Sequence, residues 1–463
     1  MKYRIKLENL PLPATYGDVD PVFLTDETMA HRHKKVLAAM AAENYDSLVI
    51  YADKEHGANF EYLTGFIPRF EEGLLLVRKD GSARLVLGNE NLKMAKYCRI
   101  KAELYHTPFF SLPNQPMDNE KSLADLLAET GLAQDKKIGI VGWKMFTAAF
   151  ADNSRIFDLP HFILQAVKDA APRADITNAA HLFIGGAKGV RTSNNANEIA
   201  HYEYGANLAS TAMLAAIQAV EVGVKENTLG ALLNAHGQTN SVVTVAATGD
   251  RFEYANLYPT GKRVQLGDKM SLTTGYKGGL SSHSGYAVEN TAQLPQQLQD
   301  YLEKSAMPYF GTIAYWLENI QPGLTGGRFY NMIDSFYPKA EYHWHLNPGH
   351  LVADEEWMSS PIYPHSTEIL KSGMLLQTDI IPSVPGYAGA SAEECIALAD
   401  SALREEIKAE YPQLWARIET RRKYICETIG INLPDCVLPL SNLVGYVRPY
   451  LLNKSAALKI EKR

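Results

Sequence analysis

Behind Thr25 and Asp26, apolar residues recur at helical spacing from about Glu27 to Asn44, and the apolar run SLVIY follows at 47–51, so the pattern predicts a helix and then a buried strand. The stretch EEGLLLVRKDGSARLVLG holds two apolar runs separated by Lys79, Asp80, Gly81 and Ser82, a hairpin signal. Helical and strand patterns alternate on through KKIGIVG to about Phe183, which predicts a mixed sheet with helices on its faces. Gly, Ser and Asn then cluster in IGGAKGVRTSNNANE, and the domain boundary is placed there, giving domains 1–187 and 188–463. Beyond it, Asn197–Val220 and Val224–Ala235 read as amphipathic helices and SVVTVAATG as a strand. Antiparallel strand pairs with long helices follow, an α+β pattern, and a charged helical tail runs from Asp400 through Glu427. The apolar VLPLSNLVGYV reads as an extended arm docked on the domain.

Composition narrows the function classes. With 463 residues, 46% of them hydrophobic, the chain has ample core material for two domains. A net charge of -7 leaves no basic footprint, so nucleic acid is not expected as a partner. No run approaches membrane-spanning length and the first residues lack an apolar leader core, so the expectation is a cytoplasmic protein without a membrane partner. Cys98, Cys395, Cys426 and Cys436 follow no framework or metal spacing and read as reduced thiols.

Candidate chemistry concentrates around GDKMSLTTGYKGGLSSHSGYAVE, Gly267 to Glu289. With FEYLTGFIPRFEEGLLLV, EIAHYEYGANLASTAM, LNPGH and SGMLLQTDIIP in the same order, this hairpin resembles the pita-bread hydrolases, the superfamily of creatinase, aminopeptidase P and prolidase. The resemblance implies a creatinase-like α/β domain over 1–187, then a pita-bread domain over 188–463 with its helical tail. In the metallopeptidases of that superfamily, two aspartates, a histidine and two glutamates hold two cations, and here those positions fall on Thr273, Ser282, His350, Asp379 and Glu393. Neutral hydroxyls are poor ligands for a divalent cation beside carboxylates. A second histidine of the peptidases falls on Trp357, and a substrate-side histidine falls near Asn256.

From these departures the sequence reading favours a metal-independent, creatinase-like hydrolase of a C–N bond in a small nitrogen-containing substrate. It needs no cofactor and has His350, Asp379 and Glu393 as its catalytic group. Trp357, Asn256 and Ser282 are expected to bind substrate. So is His283, although regular strand alternation turns it to the face opposite Ser282. Arg69 and Phe70 join the set because a comparable pair in creatinase reaches the substrate of a neighbouring subunit, which implies a homodimer. The first alternative is a divergent Xaa-Pro aminopeptidase or prolidase-like metallopeptidase acting on a short peptide, with one divalent metal on His350, Asp379 and Glu393. The second is a non-catalytic pita-bread binding protein.

Overall fold

The computed structural model describes residues 3–117, 121–253 and 257–461, which divide into two compact units, Leu24–Thr192 and Met1–Phe23 with Ser193–Arg463. In the first, six strands form one sheet in the order Ala102–His106, Ala83–Leu87, Gly73–Arg78, Ser47–Ala52, Lys137–Val141 and Asp175–Asn178. The predicted hairpin is its antiparallel pair Gly73–Arg78 and Ala83–Leu87, with 79–82 as the turn. Alternation along Ser47–Ala52 sends Val49 and Tyr51 to one face, where Leu123, Leu127, Ile163 and Val167 from two helices complete a buried cluster. The first predicted helix runs Asp26–Ala42, and the Thr25 hydroxyl accepts from the Thr28 N–H to cap it.

Past Ser193 the second unit continues with the helix Ala196–Gln218, fixed by a capping box in which Asn195 and Glu198 satisfy each other's backbone N–H groups. This helix packs on the hairpin Lys269–Tyr276 and Gly279–Tyr286, which Val245–Thr248 and Ser391–Glu393 extend on either side into a four-stranded antiparallel sheet. A second four-stranded sheet orders His350–Leu351, Leu375–Gln377, Cys395–Leu398 and Val437–Pro439. The last of these is the start of the arm predicted over VLPLSNLVGYV, whose residues 437–447 are buried throughout. The helical tail breaks at Pro412, which cannot donate to the preceding turn, into Ser401–Glu410 and Pro412–Lys423.

One boundary differs from the sequence reading. The expected first domain, 1–187, loses Met1–Phe23 to the second unit, because Ile5–Asn9 pairs antiparallel with Ala456–Ile460. That pairing joins the two ends of the chain, and local patterning carries no information about it.

Candidate functional site

His350 is placed by a turn that admits little substitution. Gly349 has φ +109°, a Cβ there would lie 2.9 Å from the Gln377 carbonyl oxygen, and the Trp316 indole N–H donates to the Pro348 carbonyl at 2.8 Å. His350 then pairs with Gln377 across the short ladder and is fully buried. Its Nδ1 lies 3.2 Å from the Leu351 carbonyl oxygen, which can only accept, so Nδ1 donates there and Nε2 is the ring nitrogen turned toward the carboxylates.

Three carboxylates face Nε2: Glu393 Oε1 at 3.4 Å, Glu356 Oε1 at 3.7 Å and Asp379 Oδ2 at 3.8 Å. His350, Glu356 and Glu393 each offer one ligand atom, and these atoms lie within 4.8 Å of one another. Burial pushes the Asp379 carboxyl well above the usual range, and the Glu393 charge adds to the shift while His350 opposes it. Glu393 is raised in the same way by burial and then by Glu356, against a hydrogen bond from Gln377. Asp379 Oδ1 is buried without a hydrogen-bond partner. Three carboxylates turned inward on one imidazole, with no Lys or Arg ion-paired to Glu356, Asp379 or Glu393 among the described residues, form a donor set suited to one hard or borderline cation.

Two cations do not fit. Thr273 and Ser282 stand opposite one another on the hairpin, Ser282 is in register with Glu393, and the two hydroxyls hydrogen-bond each other at 2.8 Å. The pair is closed on itself and supplies no charge. Trp357 stacks on His350, ring centroids 4.1 Å apart and planes at 24°, and remains 37% exposed, so one indole face lies open.

The structure therefore brings together His350, Asp379, Glu393, Trp357 and Ser282. His283 is not among them: alternation holds, and its Nε2 lies 3.0 Å from Glu394 Oε1, on the side where Ser281 also donates to Glu394. Both His283 and Glu394 are buried, so this pair clamps the hairpin to the Ser391–Glu393 strand from behind. Asn256 lies outside the described residues. Arg69 and Phe70 belong to the first unit, where Phe70 is 64% exposed at φ +64° and the Arg69 guanidinium sits 5.2 Å from its ring centroid. Glu356 stands outside the catalytic set of the sequence reading, which weighs Asp354 to Glu356 only as a further source of acid–base groups. Its signal was the acidic run Asp354, Glu355, Glu356 just before Trp357, of which Asp354 instead accepts from the Tyr202 hydroxyl.

Residues 32–178 match the Creatinase/Prolidase N-terminal domain. Among solved structures, the chain is similar to an Xaa-Pro dipeptidase from Bacillus anthracis, with TM-score 0.61, 16% identity and 81% of this chain covering 96% of that one. It is similar to the prolidase from Pyrococcus horikoshii OT3, with TM-score 0.61, 18% identity and 80% of this chain on 95% of that one. The chain has the pita-bread fold. A third likeness in that fold is to the X-Pro aminopeptidase from Thermotoga maritima MSB8, with TM-score 0.60, 15% identity and coverage of 80% and 95%. No curated protein matches the chain.

These findings overturn the expectation of a site that needs no cofactor. The similar structures are of an Xaa-Pro dipeptidase, a prolidase and an X-Pro aminopeptidase, and His350, Glu356 and Glu393 converge as a ligand set with no Lys or Arg paired to its carboxylates among the described residues. The sequence argued against metal because a site selected for a cation has little reason to give up its aspartates; Glu356 brings another carboxylate to His350.

Proposed function

We propose that this chain is a hydrolase of the Xaa-Pro peptidase type, acting on a short peptide and holding one divalent cation on His350, Glu356 and Glu393. The observation that carries the reading is the Nε2 of His350 facing three buried or half-buried carboxylates. A cation bound there polarises a carbonyl and acidifies coordinated water. Asp379, with Oδ1 unpartnered, is the group free to take a proton from an attacking water and return it to the leaving nitrogen. The indole of Trp357 fixes the imidazole plane and narrows the approach to it. No helix of the described residues is long and apolar enough to cross a membrane. The free state of all four cysteines supports a reducing compartment, hence the cytoplasm. A homodimer is the assembly the family resemblance implies, and light scattering would read it directly.

The test is release of proline from Xaa-Pro dipeptides by protein loaded with manganese or zinc, beside chelated protein. Turnover that appears with metal and vanishes in Glu393→Gln supports the reading. Unchanged turnover in the chelated protein would refute it.

A further inference from the structure

Of the ligand set His350, Glu356 and Glu393, Glu356 alone comes from outside a strand. Glu393 stands in register with Ser282 and takes a hydrogen bond from Gln377, and His350 pairs with Gln377 across its own ladder. The Glu356 carboxylate makes no hydrogen bond among the described residues; it approaches His350 Nε2 at 3.7 Å with its side chain 26% exposed. Its aim therefore rests on the turn 353–358 that carries it. That turn is fastened just ahead of Glu356: the Gly278 N–H donates to the Ala353 carbonyl at 2.6 Å, and the Tyr202 hydroxyl donates to Asp354 Oδ2 at 3.0 Å. Behind Glu356, the Met358 N–H donates to the Leu351 carbonyl at 3.0 Å. Both forward fastenings come from one place, where the tip of the central hairpin lies on the helix Ala196–Gln218. The two approach so closely that a Cβ at Gly205 would overlap the Lys277 carbonyl, and one at Gly278 the Tyr202 carbonyl.

Resting on the proposed one-cation reading, we infer that Tyr202 is a positioning residue for the cation: through Asp354 its hydroxyl fixes the turn so that Glu356 reaches the ion held on His350. Tyr202 is buried and the Asp354 side chain is only 7% exposed, so their bond is shielded from solvent, where a hydrogen bond is electrostatically stronger than in water. Lys277, 4.0 Å from the other Asp354 oxygen and 40% exposed, contributes less. The Gly278 bond holds the backbone at Ala353; the Tyr202 bond adds an attachment one residue closer to Glu356. Groups that orient a ligand in this way raise metal affinity without touching the metal.

Calorimetric titration of the full chain with manganese reads this in four proteins: unaltered, Tyr202→Phe, Glu356→Gln and the double variant. The titration runs to millimolar cation so that weakened sites still register. Tyr202→Phe, which removes one hydroxyl, is expected to weaken manganese binding about tenfold. In the Glu356→Gln background the same change should have no effect, because it acts through Glu356. Asp354→Ala, which removes the acceptor instead of the donor, should repeat the pattern and decides the matter alone if Tyr202→Phe does not fold by circular dichroism. A merely structural role would shift affinity alike in both backgrounds. Affinity within about twofold of the unaltered protein in Tyr202→Phe and Asp354→Ala overturns the inference, as does an equal loss with and without Glu356. Manganese binding that Glu356→Gln leaves unchanged, or no binding by the unaltered protein, instead sinks the ligand set beneath it.

Discussion

Replacing Gly349 by alanine should disturb the site through the backbone alone, because no side chain of the cation cluster is altered. At φ +109° an L-residue costs roughly 1–3 kcal/mol of backbone strain. The new Cβ would also stand 2.9 Å from the Gln377 carbonyl oxygen and 3.2 Å from the Trp316 ring, and overpacking of this kind adds about 1–3 kcal/mol. Gly323 is the matched control: at φ +93° it carries similar strain, but a Cβ there meets nothing within 4 Å. Gly323→Ala should therefore cost about 1–3 kcal/mol. Gly349→Ala should cost about 1–3 kcal/mol more, the steric share alone. Urea unfolding gives both differences. The shift of Gln377 needed to relieve the contact moves the strand facing His350, so cation affinity should fall in Gly349→Ala and hold in Gly323→Ala. Equal destabilisation of the two variants, or unchanged cation affinity in Gly349→Ala, would refute the argument that this turn sets the imidazole.

Other outcomes follow from the same geometry. Glu394→Ala strips the partner from buried His283 and Ser281 and should cost about 3 kcal/mol or more in unfolding free energy, whereas a loss under about 1 kcal/mol would show that the rear clamp contributes little. Glu356→Gln should weaken divalent-cation binding at least about tenfold with the fold intact by circular dichroism, and wild-type affinity would remove Glu356 from the ligand set. In chelated protein, Asp379 and Glu393 have folded pKa values raised above their unfolded ones, so the folded state binds their protons more tightly and stability falls as pH rises from the unfolded carboxylate range upward. Melting temperatures taken in chelator from pH 5 to 8 should decline, and Asp379→Asn should flatten the decline. A flat profile in the parent protein would contradict the buried, unneutralised cluster.

How far the sequence could be read depended on whether a feature was local. The hairpin around Thr273 and Ser282 was legible because the motif that resembles the family hairpin lies within one segment. Alternation also turned His283 away from Ser282, and the imidazole finds its partner, Glu394, on the far face. The lead-in to Phe23 and residue Glu356 were not legible in the same way. Ile5–Asn9 is held by Ala456–Ile460, at the other end of the chain, and Glu356 reaches His350 from a turn with no periodicity to aim it. The two aspartate positions lost to Thr273 and Ser282 had the largest consequence, because they led to a cofactor-free reading although Glu356 brings a further carboxylate to His350.

Native mass spectrometry of the full chain, titrated with manganese or zinc, tests the central claim most directly. The account predicts one cation per chain, lost in His350→Ala and retained in Ser282→Ala. Saturation with two cations per chain, or one cation retained in His350→Ala, would contradict it.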